Sequence, residues 1–140
     1  MPTIKTAPEN SYALILGVSS GFGSAAAIAL AREGYHIIGV HLDRAAGMKM
    51  AEETKAAIEA EGVRALFFNV NAADPDRRKE VIEATRQEVG AREGATVKVL
   101  MHSLAFGSLR PFITETPGES ITQKQIEMTL DVMMRFLAWR

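Results

Sequence analysis

Gly17, Gly21 and Gly23 stand at the spacing Gly-x-x-x-Gly-x-Gly, with Ser19, Ser20 and Phe22 among the residues between them. Such a set offers backbone N–H donors rather than a side-chain acid or nucleophile, and the chemistry it suits is holding an anion. The apolar run Tyr12-Ala13-Leu14-Ile15-Leu16 precedes it and the alanine-rich stretch from Ser24 to Ala31 follows, which reads as buried strand, glycine turn and helix. In that setting Gly17 lets the chain leave the strand sharply, Gly21 lets a ligand approach the backbone, and Gly23 lets helix and strand pack closely. A pyrophosphate is the ligand this arrangement implies, met by free amides and the positive end of the helix dipole. Ser19 and Ser20 present hydroxyls and amides to phosphate, or bond their own turn. A glycine turn without any nucleotide is the plainer alternative.

A second group closes the next strand, where His41 is followed by Leu42, Asp43 and Arg44. A carboxylate at this place, bonded to the adenosine ribose, is what NAD requires. Asp43 would bind the ribose hydroxyls, whereas His41 and Arg44 would pair with a 2′-phosphate. The two cations tip the expectation towards NADP. Asp43 and Arg44 also read simply as a solvated turn. His102, at the end of a fourth apolar run, is either a general base near neutrality or a packed, hydrogen-bonded histidine. His36 reads as strand surface. No His and carboxylate set has metal-ligand spacing and no Gly-Lys-Ser/Thr follows the glycines, so neither a zinc site nor a nucleoside-triphosphate loop is expected.

These groups need elements to hold them. The 140 residues are 47% hydrophobic and 24% charged, with no cysteine and a formal charge of −1. That balance predicts a single globular domain over residues 1–140, without disulfides, and offers no electrostatic footprint for nucleic acid or an anionic membrane. No apolar run is long enough to span a bilayer and the N-terminus lacks a signal-peptide core, so a cytoplasmic protein is expected. Strands are predicted over residues 12–16, 35–41, 63–70 and 96–102. Helices are predicted from Ser24, over 45–61 with Met48, Ala51, Lys55, Ile58 and Ala60 inward, from Pro75 to about Val89 with Asp74 as cap, and from about Ser120 to Trp139. Residues 103–119 form a long loop. The alternation argues for an α/β, doubly wound parallel sheet of four strands in the order 3-2-1-4, with flanking helices. The last helix is apolar nearly all round, which predicts burial on more than one side. The apolar fourth strand would be central in a complete sheet, so a fragment is expected.

The glycine spacing, read with these strands, resembles that of the short-chain dehydrogenase/reductase family across essentially the whole chain. Asn69-Val70 is similar to the family's Asp-Val or Asn-Val pair beside the adenine ring. Met101-His102-Ser103-Leu104-Ala105-Phe106 takes the place of the usual Asn-Asn-Ala-Gly stretch and is similar to the enoyl-acyl-carrier-protein reductase branch. The resemblance implies a Rossmann cofactor-binding half of an NAD(P)-dependent oxidoreductase, acting on a carbonyl or enoyl substrate and homo-oligomeric if complete. His102, Ser103, Leu104, Ala105 and Phe106 would line the nicotinamide side of the crevice. The family's catalytic Ser and Tyr-x-x-x-Lys set has no counterpart in residues 1–140, and its helix-four Asn position falls near Asp131, which reads equally well as a surface carboxylate. The alternatives are a non-enzymatic dinucleotide-binding module and an interaction scaffold.

Overall fold

The computed structural model describes residues 5–134 and 139. The strands are β1 (Ser11–Leu16), β2 (His36–His41), β3 (Ala65–Asn69) and β4 (Thr96–His102), and the helices α1 (Gly21–Glu33), α2 (Ala45–Ala60), α3 (Pro75–Gly90) and α4 (Gln123–Met134). The chain divides into two compact units after Ser103. The first holds the sheet and α1 to α3, the second the long loop and α4.

All strand pairs in the first unit are parallel and the spatial order is β3-β2-β1-β4. Alternating strands and helices joined by right-handed crossovers leave few orders open, and this is one of them. β1 lies inside the sheet and all six of its residues are buried, as expected of a strand covered on both faces. Register sets the position of everything that follows. Leu16 pairs with Val40 on one side and His102 on the other, and His41 pairs with Asn69. The four chain exits therefore open along one edge of the sheet, the carboxyl edge where α/β proteins bind ligands.

Helix α1 starts at Gly21, three residues before the expected Ser24, because Gly21 and Gly23 form its first turn instead of a loop ahead of it. Gly23, Ala27 and Ala31 are its buried positions. Their i, i+4, i+8 spacing lays one small-residue face against a core of Ala13, Ile15, Val18, Ile37, Ile58 and Val63. The amide of Gly34 bonds Ala31 and that of Tyr35 bonds Leu30, which ends the helix. Helix α2 buries Ala51, Thr54 and Ile58; Ala60, expected inward, is exposed at its last turn. Asp74 caps α3 as expected, accepting from the amides of Asp76 and Arg77 at 2.9 and 3.1 Å. Tyr12 reaches Glu88 of α3 across the opposite sheet face.

β4 forms the sheet edge among the described residues, with Val97 and Leu100 about 40% exposed. Its register against β1 shifts at Lys98, between the pairs Tyr12–Val97 and Ala13–Val99.

In the second unit Thr122 and Gln125 form a reciprocal cap. The Thr122 hydroxyl accepts from the Gln125 amide and the Gln125 side chain accepts from the Thr122 amide. That cap starts α4 at Gln123 rather than Ser120. None of residues 123–134 is fully buried, and Met128, Leu130 and Met134 are exposed. Burial on more than one side, expected from the apolar pattern, is thus not seen in this stretch, since amphipathicity reports a need for cover and not its source. Phe136 and Leu137 lie outside the described residues. Among the described residues no helix is long and apolar enough to cross a membrane.

Candidate functional site

The glycine turn is built from main chain. The amides of Gly17 and Val18 both bond the carbonyl of Val40, at 2.8 and 3.2 Å, which ties the exit of β1 to β2. Gly23 then packs so closely that a Cβ there would stand 1.8 Å from the Gly17 carbonyl oxygen. Only glycine fits that contact. Gly21 is different: a Cβ there meets nothing within 4 Å, although its φ of +56° strains other residues. The space above Gly21 is open and lies at the N-terminus of α1. Ser20 is the N-cap residue, yet its side chain makes no capping bond. Serine normally satisfies one of the first-turn amides. Ser20, Gly21 and Phe22 are exposed while Gly23 is buried, so the start of the helix offers main-chain donors and an uncommitted hydroxyl of the kind that suits a pyrophosphate. Phe22, at 88% exposure, projects from the same turn.

Thr54 of α2 supports the turn from below. Its hydroxyl bonds the Ser19 carbonyl at 3.3 Å and lies 2.8 Å from the Ser24 hydroxyl. Ser103 supports it from the side, its amide bonding Leu16 at 2.8 Å and its Cβ lying 3.4 Å from where a Gly23 Cβ would be. His102, half-buried at the end of β4, completes this row.

The loop after β2 is held firmly. His41 is buried, 4% exposed, and its Nδ1 donates to Asp43 Oδ2 at 2.8 Å. Asn69 accepts from the Asp43 amide and donates to the Asp43 carbonyl, both at 2.9 Å. Asp43 is therefore no solvated turn residue. His41, turned inward, is not directed at a 2′-phosphate, whereas Arg44 is exposed. The Asn69 side chain, expected beside adenine, is spent on Asp43 and on Met48 Sδ at 3.2 Å. Val70 follows it, its amide on the His41 carbonyl. The structure thus gathers Gly17, Ser19, Ser20, Gly21, Phe22, Gly23, His41, Asp43, Arg44, Asn69, Val70, His102 and Ser103 along the carboxyl edge. Leu104, Ala105 and Phe106 open the second unit, Leu104 half-buried and the other two exposed.

Thr54 and the room-making Gly39 and Gly47 escaped the sequence reading. A Cβ on Gly39 would strike Val18 at 2.5 Å and one on Gly47 would strike Asp43 Oδ1 at 2.4 Å. A glycine inside a strand was the available signal for the first.

Perturbed titrating groups lie at the opposite sheet edge. The Arg64 guanidinium holds the Glu88 carboxyl below its usual range, with Tyr12 and Arg92 adding to it. Burial pushes His36 down, helped by Arg92 and Arg64. Burial and then Glu88 push the Tyr12 hydroxyl up. This cluster ties α3 to β1 and to the start of β3. Among the described residues no three His, Asp or Glu side chains could hold a metal ion.

Residues 11–135 match the family described as short chain dehydrogenase. A 3-oxoacyl-[acyl-carrier-protein] reductase of Staphylococcus epidermidis is 33% identical over 82 residues, 59% of this chain and 32% of that protein. Among solved structures, L-sorbose reductase from Gluconobacter frateurii, complexed with NADPH and L-sorbose, superposes with a TM-score of 0.73 at 23% identity, covering 97% of this chain and 46% of its own. Carveol dehydrogenase from Mycobacterium avium, in complex with NAD, gives 0.72 at 17% identity, covering 91% and 45%. The chain spans less than half the length of each of these proteins.

Proposed function

The chain belongs to the short chain dehydrogenase family, and from that premise we propose that it is the dinucleotide-binding part of an NAD(P)-dependent oxidoreductase that moves a hydride between the nicotinamide and a carbonyl or conjugated enoyl substrate. One observation carries the reading: the open space over Gly21 at the start of α1, beside a Ser20 that does not cap its own helix. The first-turn amides and Ser20 would hold the pyrophosphate, and Asp43 the adenosine ribose. Ser103 and His102 would flank the nicotinamide side. A bound nicotinamide supplies the hydride chemistry; this chain's residues bind and orient it.

The cofactor preference follows from the loop after β2. His41 is turned inward to Asp43, which leaves Arg44 as the one exposed cation of the pair and would set the Asp43 carboxylate beside the ribose. A fixed anion accepts ribose hydroxyls and repels a 2′-phosphate. NADH is therefore the proposed cofactor, against the NADP expected from His41 and Arg44. The acyl-chain reductase likeness and the segment Met101–Phe106 support an acyl carbonyl or enoyl group as substrate. Calorimetric titration of the chain with NADH and NADPH tests this reading. Tighter NADH supports it in full and tighter NADPH supports the cradle but refutes the ribose assignment. Absence of binding by folded chain leaves the scaffold alternative.

A further inference from the structure

Asp43 is restrained at more points than a surface loop residue needs. Gly39 has no side chain, and a Cβ there would lie 2.9 Å from the Phe67 ring. The ring of Phe67 therefore lies over β2, with its centroid 5.9 Å from that of His41. His41, wedged there and buried, directs Nδ1 to one carboxylate oxygen of Asp43. An ionised carboxylate only accepts, so the imidazole is the donor. Asn69, opposite His41 in the β2–β3 register, clamps the amide and carbonyl of the same residue. The second carboxylate oxygen lies over Gly47, in a space that a Cβ would occupy. Side chain and main chain of Asp43 are fixed by two different strands, and two glycines make the room.

We propose that His41 and Asn69 are positioning residues that hold Asp43 rigid and thereby enforce selection of an unphosphorylated ribose. This rests on the reading of Asp43 as the ribose contact. A mobile aspartate could swing aside for a 2′-phosphate and leave Arg44 to pair with it. A clamped one cannot, so the repulsion persists and the hydroxyl contact needs no ordering on binding. Neither positioning residue has to touch the nucleotide.

The test is calorimetric titration of NADH and NADPH into the full chain and its Asn69→Ala, His41→Phe and His41→Gln variants, with thermal melting of each. Asn69 is exposed, so its truncation leaves the core intact. Phe keeps the packing of His41 without its donor, and Gln restores a donor. The expected result is that N69A and H41F each lower the NADH-over-NADPH affinity ratio by about 3- to 10-fold, the worth of a lost hydrogen bond, while H41Q recovers part of it. An unchanged ratio in N69A and H41F, whatever their melting temperatures, overturns the positioning role and leaves nucleotide binding intact. Wild-type chain that prefers NADPH overturns it as well. Wild-type chain that is folded and binds neither refutes the dinucleotide reading itself.

Discussion

Replacing Gly23 with alanine tests how closely α1 sits on β1. In a helix the exchange ordinarily stabilises, by about 0.4–1 kcal/mol, because alanine loses less backbone freedom on folding. At Gly23 the added methyl would stand 1.8 Å from the Gly17 oxygen and 2.8 Å from its carbon. Both atoms are main chain, so no rotamer relieves the overlap. Reaching even 3.0 Å requires α1 and the end of β1 to part by about 1.2 Å, which loosens Ala27 and Ala31 against Ala13 and Ile15. Overpacking of this kind costs about 1–3 kcal/mol, and a backbone obstacle puts it at the upper end. The clash outweighs the entropic gain, and the net loss is about 2 kcal/mol. For a chain of this size that lowers the melting temperature by roughly 6 °C. Gly90 is the internal control. It ends α3 and a Cβ there meets nothing within 4 Å, so Gly90→Ala should be neutral or stabilising. Urea and thermal melts followed by circular dichroism read both variants. If Gly23→Ala is as stable as the parent, the close approach of helix and strand is wrong.

Gly21→Val places a branched side chain in the open space over the turn at a φ of +56°, so it should lower the melting temperature through backbone strain and, in the chain that remains folded, weaken NADH more than tenfold in titration, a loss of at least about 1.4 kcal/mol. Thr54→Val removes the support under Ser19 and Ser24; it should cost about 1–2 kcal/mol in urea unfolding and weaken NADH binding. Acid should destabilise the chain in two steps. His36 has a folded pKa below its ordinary 6.5, so its neutral form is the stabilised one and stability falls as pH drops below 6.5. Glu88 lies below its ordinary 4.5, so its contribution is present above that value and is lost as pH falls through the lowered one. His36→Asn, which keeps an acceptor for the Arg64 amide bond, should remove the first step from the urea midpoint against pH.

The glycine turn was legible because its three glycines are demanded by local backbone geometry that spacing alone exposes. The strand order was legible too, since parallel strands with helical crossovers leave few topologies. The beginning of α1 was not: glycines in a first helical turn look like loop residues until the N-terminus of the helix is seen. Nor was the clamp on Asp43. His41 and Asn69 are 28 positions apart and are brought opposite each other only by the β2–β3 register, and the ring of Phe67 that packs beside the inward-turned His41 is almost as distant in sequence. A histidine beside an arginine therefore read as two cations for a phosphate. Thr54 was silent for a related reason, because a threonine on a helix shows no sequence signal of the carbonyl it will bond.

The main chain at the start of α1 is proposed to hold the cofactor's pyrophosphate. Amide-resolved NMR of the chain titrated with NADH tests it most directly. The expected result is saturable shifts at the Ser20, Gly21, Phe22 and Gly23 amides, with the Asp43 and Arg44 amides following in the same proportion. A folded chain whose amides at these positions stay unmoved, or which shifts only at the opposite sheet edge around His36 and Glu88, would contradict it.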